Sequence, residues 1–179
     1  MSFATNTGAI VGAIAGLALV AVGGIAAVTV ATRPEGESVG DAVQRAADNI
    51  VSTVRGLRNN NPGNIDYNPR NQWQGQTGSD GRFATFSEPV YGIRAMARIL
   101  KNDIAAGKNT IAALISEWAP ASENNTQAYI ASVSQQTGIA PGQPIGAAQL
   151  PAVIAAMIRH ENGSNPYSAD IIQQGVNLA

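Results

Sequence analysis

The residue best suited to proton chemistry in this 179-residue chain is Glu161, in the run RHENG at positions 159–163. Glu161 closes an apolar helical pattern, and Gly163 reads as the helix stop. The C-terminal end of a helix carries partial negative charge, an environment that favours the neutral form of a carboxyl group. A carboxyl group holding a proton near neutral pH is what a glycosidic oxygen needs as its donor. The plain alternative is a solvated charge in a last helical turn. Two-carboxylate chemistry would need a nucleophile or base close by, and Asp80 and Glu88 are the candidates for a second carboxylate. Glu88 is explained equally well as a favourable first-turn charge. His160 adjoins Glu161 in sequence, but successive helical residues diverge by about 100°, so the two are not expected to act together directly.

Composition narrows the chemistry. The chain has no cysteine, which removes disulfides, thiol nucleophiles and thiolate metal sites. One histidine argues against a zinc hydrolase, whose sites draw on two or more such ligands. Neither a metal nor another cofactor is expected. A net charge of −1 with scattered Lys and Arg argues against nucleic acid as a partner.

Several amphipathic helices must position Glu161. A helix from about Ala147 to Glu161 carries Leu150, Val153, Ile154, Met157 and Ile158 on one face. Ser87 is expected to cap a helix over Glu88 to about Ala106, with Ile93, Met96, Ala97, Leu100 and Ile104 inward. Thr110 and Ser122 are expected to cap helices over Ile111–Trp118 and Glu123 to about Gln136, and Ser168 a last short one. Between Leu57 and Phe86 the chain is dense in Asn, Gly and Gln, which predicts loops and a small β-hairpin turning near Ser79, Asp80 and Gly81.

The N-terminal part reads differently. Residues 1–7 form a tail, and residues 8–31 carry no charge over about 24 residues, a helical rise of roughly 36 Å that spans a hydrocarbon core. A transmembrane helix is expected there. The competing reading is a cleaved signal peptide, which usually begins with positive charge that residues 1–7 lack. Gly8, Gly12 and Gly16 recur on one face, where a second membrane helix or a second copy could approach closely, although glycine is also common in membrane helices. Residues 32–55 read as a linker and a stalk helix begun by Ser38, and residues 56–179 as the folded domain.

AMIRHENGSNPYSA, residues 156–169, resembles the lysozyme-like lytic transglycosylases, in which the catalytic Glu ends an apolar helix ahead of a small residue and an Asn-Pro. RNNNPGNI (58–65), WQG (73–75) and RFATFSEPVYGIRAMARIL (82–100) resemble the hairpin and following helix of glucosaminidases, which share that fold. The stretch from Arg55 to Ala179, about two thirds of the chain, is also similar to a family of phage-encoded virion proteins, through NNNPGNI, WAP with ENNT (118–126), and RHENG. In glucosaminidases the helix bearing the catalytic Glu precedes the hairpin, whereas Glu161 follows it here, so the resemblance implies a circularly permuted lysozyme-like domain.

Taken together, the expectation is a mainly α (α+β) lysozyme-like domain with a small β-hairpin, tethered by a transmembrane helix to a lipid membrane. The resemblance implies a virion-associated enzyme that cleaves the glycan strands of peptidoglycan as the genome enters the cell, by lytic transglycosylase or muramidase/glucosaminidase-like chemistry. Glu161 would be the general acid and base, with Asn60, Asn64, Trp73, Asn162 and Tyr167 binding substrate. Transglycosylases of this kind use one carboxylate, the sugar's own hydroxyl closing an anhydro ring. Phe83, Phe86 and Trp118 are assigned to the core, and Tyr129 is left between core and cleft. The alternative is a non-catalytic membrane protein of the virion that retains the fold and contacts other virion proteins.

Overall fold

The computed structural model describes residues 53–122 and 125–179, with Ser38, Gly40, Asp41, Val43, Gln44, Arg45 and Asp48. The expected transmembrane segment at 8–31, its glycine face and most of the linker lie outside these residues. Among the described residues, no helix is long and apolar enough to cross a membrane. Ser38 Oγ accepts the Asp41 N–H at 3.1 Å, the N-cap geometry expected of it.

The domain is mainly helical, with one two-stranded antiparallel sheet. In chain order its elements are α1 (Arg55–Arg58), β1 (Gln76–Ser79), β2 (Ala84–Phe86), α2 (Pro89–Ala105), α3 (Ile111–Trp118), α4 (Thr126–Thr137), α5 (Leu150–Asn162) and α6 (Ala169–Asn177). Apolar periodicity identified the inward faces. Ile93, Met96, Ala97 and Leu100 of α2 and Leu150, Val153, Ile154, Met157 and Ile158 of α5 are fully buried. Helix α5 is central, packing against α1, α2, α4 and α6.

Helix starts follow local hydrogen bonding. Thr110 and Ser168 cap α3 and α6 as expected, accepting the N–H groups of Ala113 and Ile171. Three starts differ from the sequence reading. Glu88, not Ser87, is the N-cap of α2, without a side-chain bond, because Pro89 at the first position has no N–H to satisfy and sets φ for the helix. Asn125, not Ser122, caps α4 through Ala128 N–H. Helix α5 begins at Leu150 rather than Ala147, again with a proline in its first turn.

The hairpin turns where expected. Asp80 Oδ1 accepts the backbone N–H groups of Phe83 (2.9 Å) and Arg82 (3.2 Å), and Gly81 supplies the left-handed φ of 104°. Pairing runs Gln76 to Phe86, Gly78 to Thr85 and Ser79 to Ala84, with a bulge between the first two pairs. Phe83 is not in the core. It is half-buried between the Arg55 and Arg82 guanidinium groups, 4.6 and 4.8 Å from its ring centre.

The loop NNNPGNI is stapled to β2 by its asparagines. Asn61 is fully buried; its Nδ2 donates to the carbonyls of Ile65 (2.9 Å) and Ala84 (2.8 Å), while its Oδ1 accepts the Ile65 N–H (3.0 Å). Asn60 and Asn64 take left-handed φ of 51° and 49°, which asparagine tolerates better than most residues. Helix α2 runs directly beneath this loop. A Cβ on Gly92 would stand 2.0 Å from the Asn60 carbonyl oxygen, so only glycine permits the approach.

Candidate active site

Helix α5 ends with Glu161 and Asn162, and Gly163, at φ 71°, stops it in a left-handed cap. This termination leaves Glu161 half-buried at the domain surface rather than inside another turn. Three elements distant in sequence converge on its carboxylate. Tyr129 of α4 donates its hydroxyl to Oε1 at 2.9 Å, and Trp118, the last residue of α3, donates its indole N–H to the same oxygen at 3.2 Å. Asn64, from the asparagine-rich loop, donates its Nδ2 to Oε2 at 3.0 Å. Because a carboxylate only accepts, the nitrogen of the Asn64 amide must be the atom facing it.

The two carboxylate oxygens are therefore unlike. Oε1 is occupied by two donors, whereas Oε2 has one and keeps acceptor capacity. Burial, and then the Glu161 carboxylate beside it, hold the Tyr129 hydroxyl well above its ordinary range, so it stays protonated and acts as a donor. The Tyr129 ring in turn stacks on His160, with centroids 3.8 Å apart and planes 19° from parallel. Partial burial pulls the His160 imidazole below its ordinary value, against the opposing influence of Glu161. A cleft of about 240 Å³ opens here, lined by Asn125, Ala128, Tyr129, His160 and Glu161.

Of the residues singled out in the sequence, Glu161 and Asn64 are brought together. Asn60 donates instead to the Phe86 carbonyl at 3.0 Å. Asn162, one residue from Glu161, points away from the cleft into the protein. Its Nδ2 donates to the carbonyls of Pro62 (2.7 Å) and Ile158 (2.9 Å). Trp73 and Tyr167 are half-buried against the core and are not among the residues that bound the cleft. The Trp73 Nε1 is sealed from solvent without a partner, and burial pushes the Tyr167 hydroxyl up to about 12.

Neither candidate second carboxylate meets Glu161. Asp80 is bound by the Arg55 guanidinium through two bonds, 2.6 and 2.8 Å, and by Asn59, which together hold its carboxyl far below the usual carboxylate range. Glu88 is exposed at the start of α2. Among the described residues, nothing that lines the cleft or bonds to Glu161 carries another carboxyl group. No group of acidic or histidine side chains among them is arranged to hold a metal ion.

Sequence reasoning assigned Trp118 to the core and left Tyr129 between core and cleft; the structure brings the polar atoms of both to the Glu161 carboxylate, with Trp118 only half-buried. The signal for Trp118 lay in its place at a helix end beside Pro120, where an aromatic can turn its polar edge outward. Tyr129 lies on the buried face of α4, and only its hydroxyl reaches the carboxylate.

A mainly helical domain with a short hairpin, which holds one helix-terminal carboxylate at a cleft by three donated hydrogen bonds, is the class that fold and site define. Over 131 residues the chain is 46% identical to protein P5 of Pseudoalteromonas phage PM2, covering 70% of this chain and 82% of that protein. The chain belongs to the family of this phage protein. No family model matches it.

Proposed function

We propose that this protein is a virion-associated, membrane-anchored enzyme with a lysozyme-like domain that cleaves the glycan strand of peptidoglycan during genome entry, with Glu161 as its general acid and base. The observation that carries the proposal is the unequal bonding of the Glu161 oxygens beside an open cleft. Trp118 and Tyr129 fix Oε1 and thereby orient the group. Oε2, with one donor, is the oxygen that would exchange a proton with a glycosidic oxygen. The kinship with a phage protein supports a place in the virion.

Among the described residues Glu161 is the one carboxylate at the cleft, which favours transglycosylation over hydrolysis. Glu161 would give its proton to the leaving oxygen as the C1–O bond breaks. It would then take a proton from the C6 hydroxyl of the same sugar as that oxygen bonds to C1. One bond breaks, one forms, the carboxyl group is regenerated and no water is consumed. A hydrolase would need a nucleophile or a base, and Asp80 is already committed to Arg55, Asn59 and the hairpin turn.

The test is digestion of purified peptidoglycan by the full chain and by Glu161→Gln, followed by mass analysis of the released fragments. Anhydro products lost in the variant are expected. Reducing-end products would replace the transglycosylase mechanism with a hydrolytic one. No release by a folded wild-type protein would leave a structural virion protein that retains the fold.

A further inference from the structure

We infer that Asn64 is a positioning residue that follows the proton on Glu161: its side-chain amide donates to the ionised carboxylate, and turns over to accept the proton of the neutral acid while donating to Asn162 Oδ1. The inference deepens the acid–base role proposed above and rests on proton exchange at Glu161 Oε2.

An atom without a partner leads to it. Asn162 is buried, and its Oδ1 is sealed from solvent without a hydrogen bond. Buried polar atoms are rarely left so, and each exception needs a reason. The Asn162 amide gains nothing by turning over. Its Nδ2 donates to the carbonyls of Pro62 (2.7 Å) and Ile158 (2.9 Å), and an oxygen in that place would lose both bonds. Asn162 Oδ1 is therefore a fixed acceptor without a donor. Asn64 Oδ1 faces the same place. The two oxygens lie 2.5 and 2.8 Å from one point, the position that a Cβ would take on Gly56, which the glycine keeps clear. Two acceptors directed at one spot repel. The arrangement is held by the other end of the Asn64 amide, which donates to the charged Glu161 Oε2 at 3.0 Å.

Protonation releases that hold. Oε1 already receives Trp118 and Tyr129, so the proton takes Oε2 and meets the Asn64 N–H, donor against donor. A half-turn about the Asn64 Cβ–Cγ bond, a soft torsion, exchanges Oδ1 and Nδ2 without moving the backbone. Oδ1 then accepts the Glu161 proton, and Nδ2 is directed at Asn162 Oδ1. Two hydrogen bonds replace two mismatches. The neutral acid keeps its proton on Oε2 until a glycosidic oxygen takes the place of Asn64 Oδ1. As the proton leaves, the amide turns back and donates to the new carboxylate. Among the described residues, the titratable groups that act on the Glu161 carboxyl are Tyr129 of α4 and His160 of α5. Asn64 from the loop and Trp118 from α3 do not titrate, and Arg55 of α1 is committed to Asp80.

The experiment is nuclear magnetic resonance on the full-length chain in detergent micelles, isotope-labelled in asparagine and glycine. Glu161→Gln reproduces the neutral acid at one neutral pH, where charging of His160 does not enter. Its oxygen takes the Trp118 and Tyr129 donors, so its N–H groups point at Asn64 and demand Oδ1. Expected are cross-peaks between the Asn64 Nδ2 protons and Gly56 Hα that are absent from wild type once its carboxyl is ionised. The Asn162 Cγ resonance should shift as its oxygen gains a bond. Asn64→Gly suits the left-handed φ of 49° and removes the amide; added to Glu161→Gln, it should abolish that shift. Wild type carried down through the Glu161 titration should pass from the first pattern to the second. An Asn64 amide that keeps the wild-type pattern in folded Glu161→Gln overturns the switch. If wild type digests peptidoglycan in the same preparation, only the switch falls. If the amide turns and wild type does not digest, the switch stands and the glycan-cleaving function falls.

Discussion

Gly56 lies in α1, remote in sequence from Glu161, yet a single methyl there should reach the site. A Cβ at position 56 would stand 2.5 Å from Asn162 Oδ1, 2.8 Å from Asn64 Oδ1 and 3.1 Å from the Asn61 carbonyl oxygen. None of these can yield freely. The Asn162 amide is buried, with its nitrogen on two carbonyls, and turning it over would bring Nδ2 equally close while breaking both bonds. Asn61 is locked by its three bonds to Ile65 and Ala84. Asn64 must therefore move, and its Nδ2 is the donor to Glu161 Oε2. Overpacking costs about 1–3 kcal/mol, losing a hydrogen bond to a charged group adds about 1.5–3, and replacing a helical glycine recovers about 1. Gly56→Ala should thus destabilise the domain by about 3 kcal/mol, a fall in Tm of roughly 10 °C for a domain of this size. It should also slow peptidoglycan cleavage by at least about tenfold, the equivalent of roughly 1.4 kcal/mol of lost positioning. The assay pairs thermal melting by circular dichroism with release of soluble fragments at a temperature where the variant is folded. Gly142→Ala is the control, because no atom lies within 4 Å of its Cβ position; it should melt within about 0.5 kcal/mol of wild type. A Gly56→Ala protein with wild-type Tm, or one that loses stability at full cleavage rate, would refute the coupling from Gly56 through Asn64 to Glu161.

Other perturbations test separate parts of the structure. Asn61→Ala strips a fully buried amide from three backbone partners and should cost about 3 kcal/mol or more in a urea titration, since each orphaned group costs about 1–3. Trp118→Phe keeps an aromatic side chain but removes the indole donor to Oε1; a cleavage rate lowered about tenfold, measured at a temperature where the variant is folded, is expected from the loss of one charge-assisted bond at the reacting group. Burial raises the hydroxyls of Tyr167, to about 12, and of Tyr129 above an ordinary value of 10.0. The folded state binds these protons more tightly than the unfolded one. Their stabilisation is complete below pH 10 and is lost as pH climbs from 10 towards 12, so unfolding should become easier across that window when followed by tyrosinate absorbance. Tyr129→Phe and Tyr167→Phe together should flatten the dependence.

Much of the scaffold was legible in the sequence. The apolar positions of α2 and α5, the capping threonine and serine at 110 and 168, the turn at Asp80 and the glycine stop at 163 are local signals. They act through bonds and side-chain periods within a few residues, so composition and spacing report them directly. The differences at Ser87 and Ser122 have a local cause too. Several polar residues stand close to each helix start, and which one caps depends on where the preceding chain is held.

The sequence by itself determined that Glu161 ends an apolar helix and that an asparagine-rich loop precedes a short hairpin. It also determined that no thiol is present and that histidine is limited to one residue. Only the tertiary structure decided what surrounds the carboxylate. Asn64, Trp118 and Tyr129 lie 97, 43 and 32 residues from Glu161 in the chain, and no periodicity links positions so far apart. The reverse holds for Asn162, a neighbour in sequence that the helical rotation of about 100° per residue turns into the interior, where the Pro62 carbonyl receives it. Aromatic residues were the hardest to place. Burial area draws the rings of Trp118 and Tyr129 inward, while one polar atom of each must still find a partner, and the packing of α3 on α4 and of α4 on α5 made that partner Glu161.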